Sequence, residues 1–258
     1  MHIALLQTDL IWEQAPSNLS HYAQQLAALP QPVDMIVLPE MWQTGFSMNA
    51  AQLAETEQGK SIQAMLDWAH TYNAAVAGSL IIAEGGQYYN RFICALPDGT
   101  YHQYDKRHLF RMGGEGDVYT AGKERIIIEY RGWRIAPFVC YDLRFPVWSR
   151  RRVPDYDYDL LLYVANWPAR RSYAWLQLLI ARAIENQSCV VGVNRIGNDG
   201  NDIYHNGSSA VIDPQGRVLW TQQDQAALHI AHLDKTALDD FRAAFPAYLD
   251  ADAFELSV

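Results

Sequence analysis

The chain has 258 residues, half of them hydrophobic, long for one domain yet within the reach of large undivided α/β architectures and sufficient to bury a sizeable core. Its 20 lysines and arginines stand against 29 aspartates and glutamates, a formal charge of −9 that repels nucleic-acid phosphates and anionic membrane surfaces, so neither is expected as a partner. Cys94, Cys140 and Cys189, an odd number scattered through apolar segments, do not make a disulfide framework and point to free thiols in the reducing cytoplasm.

His2 to Thr8 predicts a buried strand; Gln7 and Asp9 interrupt its short apolar run and no basic region precedes it, so a signal peptide is not expected. Pro16-Ser17-Asn18 opens a helix in which Leu19, Tyr22, Ala23, Leu26 and Ala27 recur at helical spacing up to Pro30. Met35 to Leu38 is the next strand, Ser61 to Tyr72 a second helix with Ile62, Met65, Leu66 and Ala69 on one face, and Ala74 to Ile82 a third strand. Hairpins then enter, because Gly85-Gly86 and Pro97-Asp98-Gly99 separate short strands at Tyr88 to Ala95 and Thr100 to Tyr104. Another hairpin pairs Glu124 to Tyr130 with Trp133 to Cys140 across Arg131-Gly132. A strand at Leu160 to Val164, a helix from Ser172 to Gln187, and strands at Cys189 to Asn194, Gly207 to Ile212, Val218 to Thr221 and Ala226 to Leu233 follow. Lys235 to Phe245 is a last helix, and the tail to Val258, with Tyr248 and Phe254, is a candidate for packing on a partner subunit. No apolar run approaches the ~18 residues of a membrane-spanning helix. With no linker, repeat or low-complexity stretch, residues 1–258 are expected to form one domain, helices covering the outer faces of a β-sandwich.

Three reactive side chains share one kind of position, the end of an apolar strand: Glu40 after Met35-Ile36-Val37-Leu38-Pro39, Lys106 after Thr100 to Asp105, and Cys140 after Trp133 to Val139. A thiol attacks a carbonyl as thiolate, so a catalytic cysteine needs a base or a positive charge beside it. Glu40 can take the proton and Cys140 attack, while the Lys106 ammonium and the Tyr141 backbone N–H stabilise the oxyanion. Cys94 and Cys189, inside strands, read as inert core. His229 and His232 lie on opposite faces of one strand without a carboxylate or cysteine cluster, so no metal site is expected, and a dinucleotide fingerprint is absent.

Leu38-Pro39-Glu40, Tyr104-Asp105-Lys106-Arg107-His108-Leu109-Phe110 and Val139-Cys140-Tyr141-Asp142-Leu143-Arg144-Phe145-Pro146, in that order, resemble the nitrilase superfamily of carbon-nitrogen hydrolases, and most closely its omega-amidase branch. The resemblance runs from about Ile3 to about Ile230. It implies a four-layer α-β-β-α sandwich, a homodimer or larger assembly, no cofactor, and a Glu-Lys-Cys triad at Glu40, Lys106 and Cys140. It also implies a second glutamate between the lysine and the cysteine; Glu115, in a glycine-rich loop, is the match, with Glu124 as the competing position. The implied chemistry is hydrolysis of the terminal amide of 2-oxo acids, such as 2-oxoglutaramate and 2-oxosuccinamate, through a cysteine thioester.

Such substrates are anions, and arginine is suited to gripping a carboxylate in two parallel hydrogen bonds. Arg170, beside Arg171 and after Asn166-Trp167-Pro168-Ala169, is the preferred candidate; Arg144 belongs to the cysteine motif and has a structural reading, bridging carboxylates behind the site. Trp42, Phe46 and Trp167 follow strand ends and can wall a small pocket, whereas Arg150-Arg151-Arg152 reads as a solvated helix end. Alternatives are a nitrilase or carbamoylase with the same triad, a Cys-His pair using His205-Asn206 in a polar turn, and a metabolite-binding protein without activity.

Overall fold

The strands of the amino-terminal half send alternate residues to different partners, and that alternation sets the layers. A computed structural model describes residues 1–256; Ser257 and Val258, the end of the tail expected to meet a partner, lie outside the described residues. The elements in order are β1 (His2–Gln7), α1 (Ala15–Ala27), β2 (Met35–Val37), the single turn α2 (Ala50–Leu53), α3 (Lys60–Tyr72), β3 (Ala75–Glu84), β4 (Gln87–Ala95) and β5 (Tyr101–Asp105). Then come the single turn α4 (Glu115–Val118), β6 (Ile128–Tyr130), β7 (Trp133–Val139), the single turn α5 (Pro146–Ser149), β8 (Leu160–Ala165) and α6 (Ser172–Asn186). β9 (Cys189–Asn194), β10 (Ile196–Asn198), β11 (Tyr204–Ile212), β12 (Val218–Gln223), β13 (Ala227–His232) and α7 (Lys235–Ala244) complete the fold.

One sheet has the order β13-β1-β2-β3-β4-β5, the other β10-β11-β9-β8-β7-β6 with β12 on β11. Each is built around three parallel strands, β1-β2-β3 and β7-β8-β9, with antiparallel strands at the edges. Ile3, Leu5, Met35, Val37, Phe92 and Cys94 face the core shared with the second sheet. Their neighbours Ala4, Leu6, Ile36 and Ile93 pack instead on Tyr22 and Leu26 of α1 and Ile62, Met65 and Ala69 of α3. On the outer side of the second sheet, Trp175 and Leu179 of α6 approach Gly192 of β9 so closely that a Cβ there would lie 2.7 Å from Leu179. The architecture is the α-β-β-α sandwich.

Several local expectations are corrected. Glu124 to Ile127 do not extend β6, because the preceding chain is tied to the other sheet: Thr120 N donates to Tyr88 O and Gly122 N to Lys106 O. His205 lies in β11, paired with Gly197 of the short β10, and not in a turn. Arg150, Arg151 and Arg152 are not a solvated helix end; Arg150 donates to Glu185 O, Arg151 pairs with Asp157 at 2.6 Å and Arg152 donates to Phe254 O. Separately from these corrections, in the described part of the tail Tyr248 lies under the Arg151 guanidinium and Phe254 near Arg152. Among the described residues no helix is long and apolar enough to cross a membrane.

Candidate active site

The central parallel triplets place Glu40, Cys140 and Asn166 at carboxyl ends of their strands, and Lys106 stands at the end of the edge strand β5. Glu40 follows β2, Lys106 follows β5, Cys140 follows β7 and Asn166 follows β8. Cys140 leaves its strand with φ +44°, a left-handed conformation costly for a residue with a Cβ, and begins a 3₁₀ turn that ends at Arg144. The surroundings enforce it. The fully buried Asp142 carboxylate accepts from Val139 N at 3.1 Å, Tyr104 OH at 2.8 Å, and both His108 N and Nδ1, at 2.9 and 2.8 Å. Arg182 donates to Leu143 O at 2.5 Å and closes the turn from the α6 side.

Lys106 Nζ donates to Glu40 Oε1 at 2.8 Å and to Glu115 Oε1 at 2.9 Å, and all three side chains are sealed from solvent. Glu40 Oε2 accepts from Asn166 N at 2.7 Å, Glu115 Oε2 from Phe110 N at 2.5 Å. Glu115 is therefore the second glutamate in contact with the lysine; Glu124 is exposed and lines a separate cleft with Tyr89 and Gln103. Burial alone would discharge the lysine, but Glu115 and then Glu40 outweigh it and hold the ammonium above its ordinary range. Burial raises Glu115, with Lys106 opposing. Burial, reinforced by Glu40 and opposed by Lys106, also holds the Cys140 thiol well above its usual range. A thiol in such surroundings can attack only if a base takes its proton.

Cys140 opens into a cavity of about 370 Å³ whose lining includes Phe46, Lys106, Tyr141, Asn166 and Trp167. Arg144, Arg170 and Arg171 line it as well. Arg144 lies 4.8 Å over Trp167 and Arg171 5.1 Å over Phe110, both half-buried, while Arg170 is exposed. No carboxylate pairs with any of the three among the described residues, whereas Arg91, Arg134, Arg151, Arg182, Arg195 and Arg242 all have one. Trp42 is a correction: its indole is fully buried between sheet and helices, 5.4 Å from Tyr22 and 5.6 Å from Trp68, because the chain turns inward at Met41.

Cys94 and Cys189 are each pushed up to about 12 by burial and lie inside strands. His205, lowered to about 4 by burial and then by Arg195, is acted on by Arg195 and Asp199 and does not line the cavity, so a Cys-His pair is not assembled. His229 stacks on Trp220, and no metal-ligating cluster exists among the described residues. Two polar residues at the site escaped the sequence reading, Asn90 and Asn166. Asn90 carried a signal, since an amide inside the strand Tyr88 to Ala95 must find partners when buried.

The pattern of the carbon-nitrogen hydrolases matches residues 2–243. The chain is 50% identical over 257 residues to the omega-amidase YafV of Escherichia coli K12, covering 99% of this chain and 98% of that one. It is 32% identical over 252 residues to a 2-oxoglutaramate amidase of Bacillus subtilis 168, covering 96% of each. Its structure resembles that of a CN-hydrolase superfamily protein from Xanthomonas campestris with an arsenic adduct in the active site, at 42% identity and a TM-score of 0.97 over 100% of this chain and 99% of the other.

Proposed function

This chain belongs to the carbon-nitrogen hydrolase family, and we propose that it is an omega-amidase acting on 2-oxo acid amides such as 2-oxoglutaramate and 2-oxosuccinamate. The observation that carries the reading is one small cavity that holds Cys140 and Lys106 together with three arginines. Lys106, shared by two glutamates, stands beside Cys140, and Arg144, Arg170 and Arg171 line the same cavity without carboxylate partners among the described residues. Such a cavity can take a substrate that carries both a neutral amide and a carboxylate, its anion towards Arg144, Arg171 and the exposed Arg170. The names borne by the Escherichia coli and Bacillus subtilis relatives support the same substrate class.

In this mechanism Glu40 takes the thiol proton as Cys140 Sγ bonds to the amide carbon. The Lys106 ammonium and the Tyr141 N–H stabilise the oxyanion, and Glu115 holds the lysine in place. Collapse breaks the C–N bond, the proton held by Glu40 passes to the nitrogen, and ammonia leaves a thioester on Cys140. Glu40 then deprotonates a water that attacks the thioester; the acid departs and the proton returns to sulfur. Phe46 and Trp167 wall the chain of the substrate.

We further infer a cytoplasmic, single-domain homodimer that needs no cofactor. Its buried free thiols support that compartment, and the exposed Tyr173 and Ile184, eleven residues apart on one face of α6, support an apolar subunit contact. An ammonia-release screen over 2-oxoglutaramate, 2-oxosuccinamate, glutamine, a simple nitrile and an N-carbamoyl amino acid tests the substrate. Preference for the 2-oxo acid amides is expected; preference for the nitrile or the carbamoyl compound would overturn the reading.

A further inference from the structure

We infer that Asn90 is a positioning residue of the Lys106 centre, its side-chain amide fixing Glu40 and Glu115 in one arrangement on the ammonium and tying that arrangement, through Ser79, to the backbone at Met41. The inference rests on reading Glu40, Lys106 and Cys140 as the catalytic groups.

Asn90 is 1% exposed, near the middle of β4. Its Nδ2 donates to Glu40 Oε1 at 2.8 Å and to Glu115 Oε1 at 3.1 Å, the same two oxygens that accept from Lys106 Nζ. Its Oδ1 accepts from the Ser79 hydroxyl at 2.8 Å, and the Ser79 oxygen accepts from Met41 N at 2.9 Å. Its backbone carbonyl accepts from Lys106 N at 3.0 Å. One residue thus touches the base, the second glutamate and the lysine's own backbone.

The choice of side chain is dictated by the charges. Two carboxylates drawn to one ammonium repel each other, and a neutral group with two N–H donors holds both without adding charge. Aspartate would bring a third negative charge, alanine would remove both donors, and glutamine is one methylene too long for a fully packed position. The far end of the relay restrains Met41, which follows Glu40 directly and has φ +42°, left-handed for a residue with a Cβ. The titratable groups facing the amide are Glu40, Lys106, Glu115 and Cys140, with Tyr119 behind Glu115.

The test compares wild type with Asn90→Asp, Asn90→Ala and Ser79→Ala. The readouts are the rate of Cys140 alkylation by iodoacetamide against pH, kcat and KM on 2-oxoglutaramate, and the melting temperature. Alkylation does not depend on the natural substrate, so a wild type inert towards 2-oxoglutaramate would sink the substrate reading and leave this one decidable. In Asn90→Asp, kcat is expected to fall on the order of 10²-fold with KM little changed, as for a displaced catalytic group. The acid limb of the alkylation profile should move up by about one pH unit or more, because three carboxylates around one ammonium hold a proton more tightly. Asn90→Ala and Ser79→Ala should move it the same way by less. Acid limbs at the wild-type position in every soluble variant, or losses of kcat that only track losses of melting temperature, would overturn the assignment. If neither Asn90 variant folds, the limb of Ser79→Ala decides alone.

Discussion

Replacing Lys106 by methionine removes the cation that bridges two sealed carboxylates, and the geometry sets the size and the pH dependence of the loss. In the wild type Nζ bridges Glu40 and Glu115 at 2.8 and 2.9 Å with no solvent contact. In Lys106→Met the ion pair is broken with both negative charges left buried, a change that costs ~3–5 kcal/mol. A proton can replace the ammonium. Glu115 is already raised by burial, with Lys106 as the main opposing influence, so removing the lysine raises it further. A carboxyl whose folded-state pKa lies above its unfolded value binds more protons folded than unfolded, so stability is fully present below the unfolded value and is lost as pH rises through the folded one. The deficit of Lys106→Met against wild type should therefore be small near pH 5 and grow towards pH 8, reaching roughly 6–20 °C in melting temperature for a chain of this size. Turnover should fall by roughly 10²–10³ or more, with a smaller change in KM, since the ammonium acts on the developing oxyanion. Thermal melts between pH 5 and 8 and steady-state kinetics on 2-oxoglutaramate check both halves. A melting deficit of the same size at every pH, or an unaltered kcat, would refute the reasoning.

Cys140→Ala should abolish activity by a factor on the order of 10⁴ or more, since no other group can form the thioester. Limiting iodoacetamide followed by mass spectrometry should find label on Cys140, which opens to the cavity, and not on Cys94 or Cys189, which are buried inside strands. Asp142→Ala leaves Val139 N, His108 N and Tyr104 OH without their acceptor and should destabilise the fold by ~3 kcal/mol or more, read as loss of melting temperature and of Cys140 labelling together. Arg144→Ala should raise KM for 2-oxoglutaramate and lower its specificity constant about 10- to 150-fold, the ~1.5–3 kcal/mol of a charge-assisted contact, while sparing a neutral small amide. Arg170→Ala should do the same to a lesser degree, because an exposed guanidinium is screened by water and salt. Equal losses on charged and neutral amides in both variants would mean the carboxylate binds elsewhere.

The layers were legible because hydrophobic periodicity is a local property that burial reads out directly. The alternation of Ile3 and Leu5 against Ala4 and Leu6 assigns each to a different core, and the apolar face of Ile62, Met65 and Ala69 assigns α3 to the first sheet. What failed was decided by non-local hydrogen bonding. Glu124 to Ile127 have strand-forming residues, yet the two donors just before them reach Tyr88 O and Lys106 O, and the hairpin is cut to three residues. Arg150, Arg151 and Arg152 look like a solvated run until Asp157, Glu185 O and Phe254 O arrive from segments outside their local pattern. His205 looked like a turn residue because the Tyr204-His205-Asn206-Gly207 string is polar, but β10 pairs with it across five intervening residues.

At the site the same division holds between side chains that announce themselves and side chains that only complete others. Glu40, Lys106 and Cys140 were visible because charge or a polar flank at the end of an apolar strand needs a reason, and the sandwich brings those ends together. Trp42 shared the position of Glu40 but not its direction: Met41 turns the chain at φ +42°, and the indole goes to the helices while the carboxylate goes to the lysine. Asn90 and Asn166 carry no charge, so nothing in composition or spacing sets them apart from strand and loop residues elsewhere. Their importance comes from saturation. A carboxylate has acceptor sites to spare, one ammonium cannot fill those of two carboxylates, and the remaining donors at Glu40 come from the Asn90 amide and the Asn166 backbone. Once the sheet order puts β4 beside the site, counting the hydrogen bonds that a buried charge needs picks out Asn90.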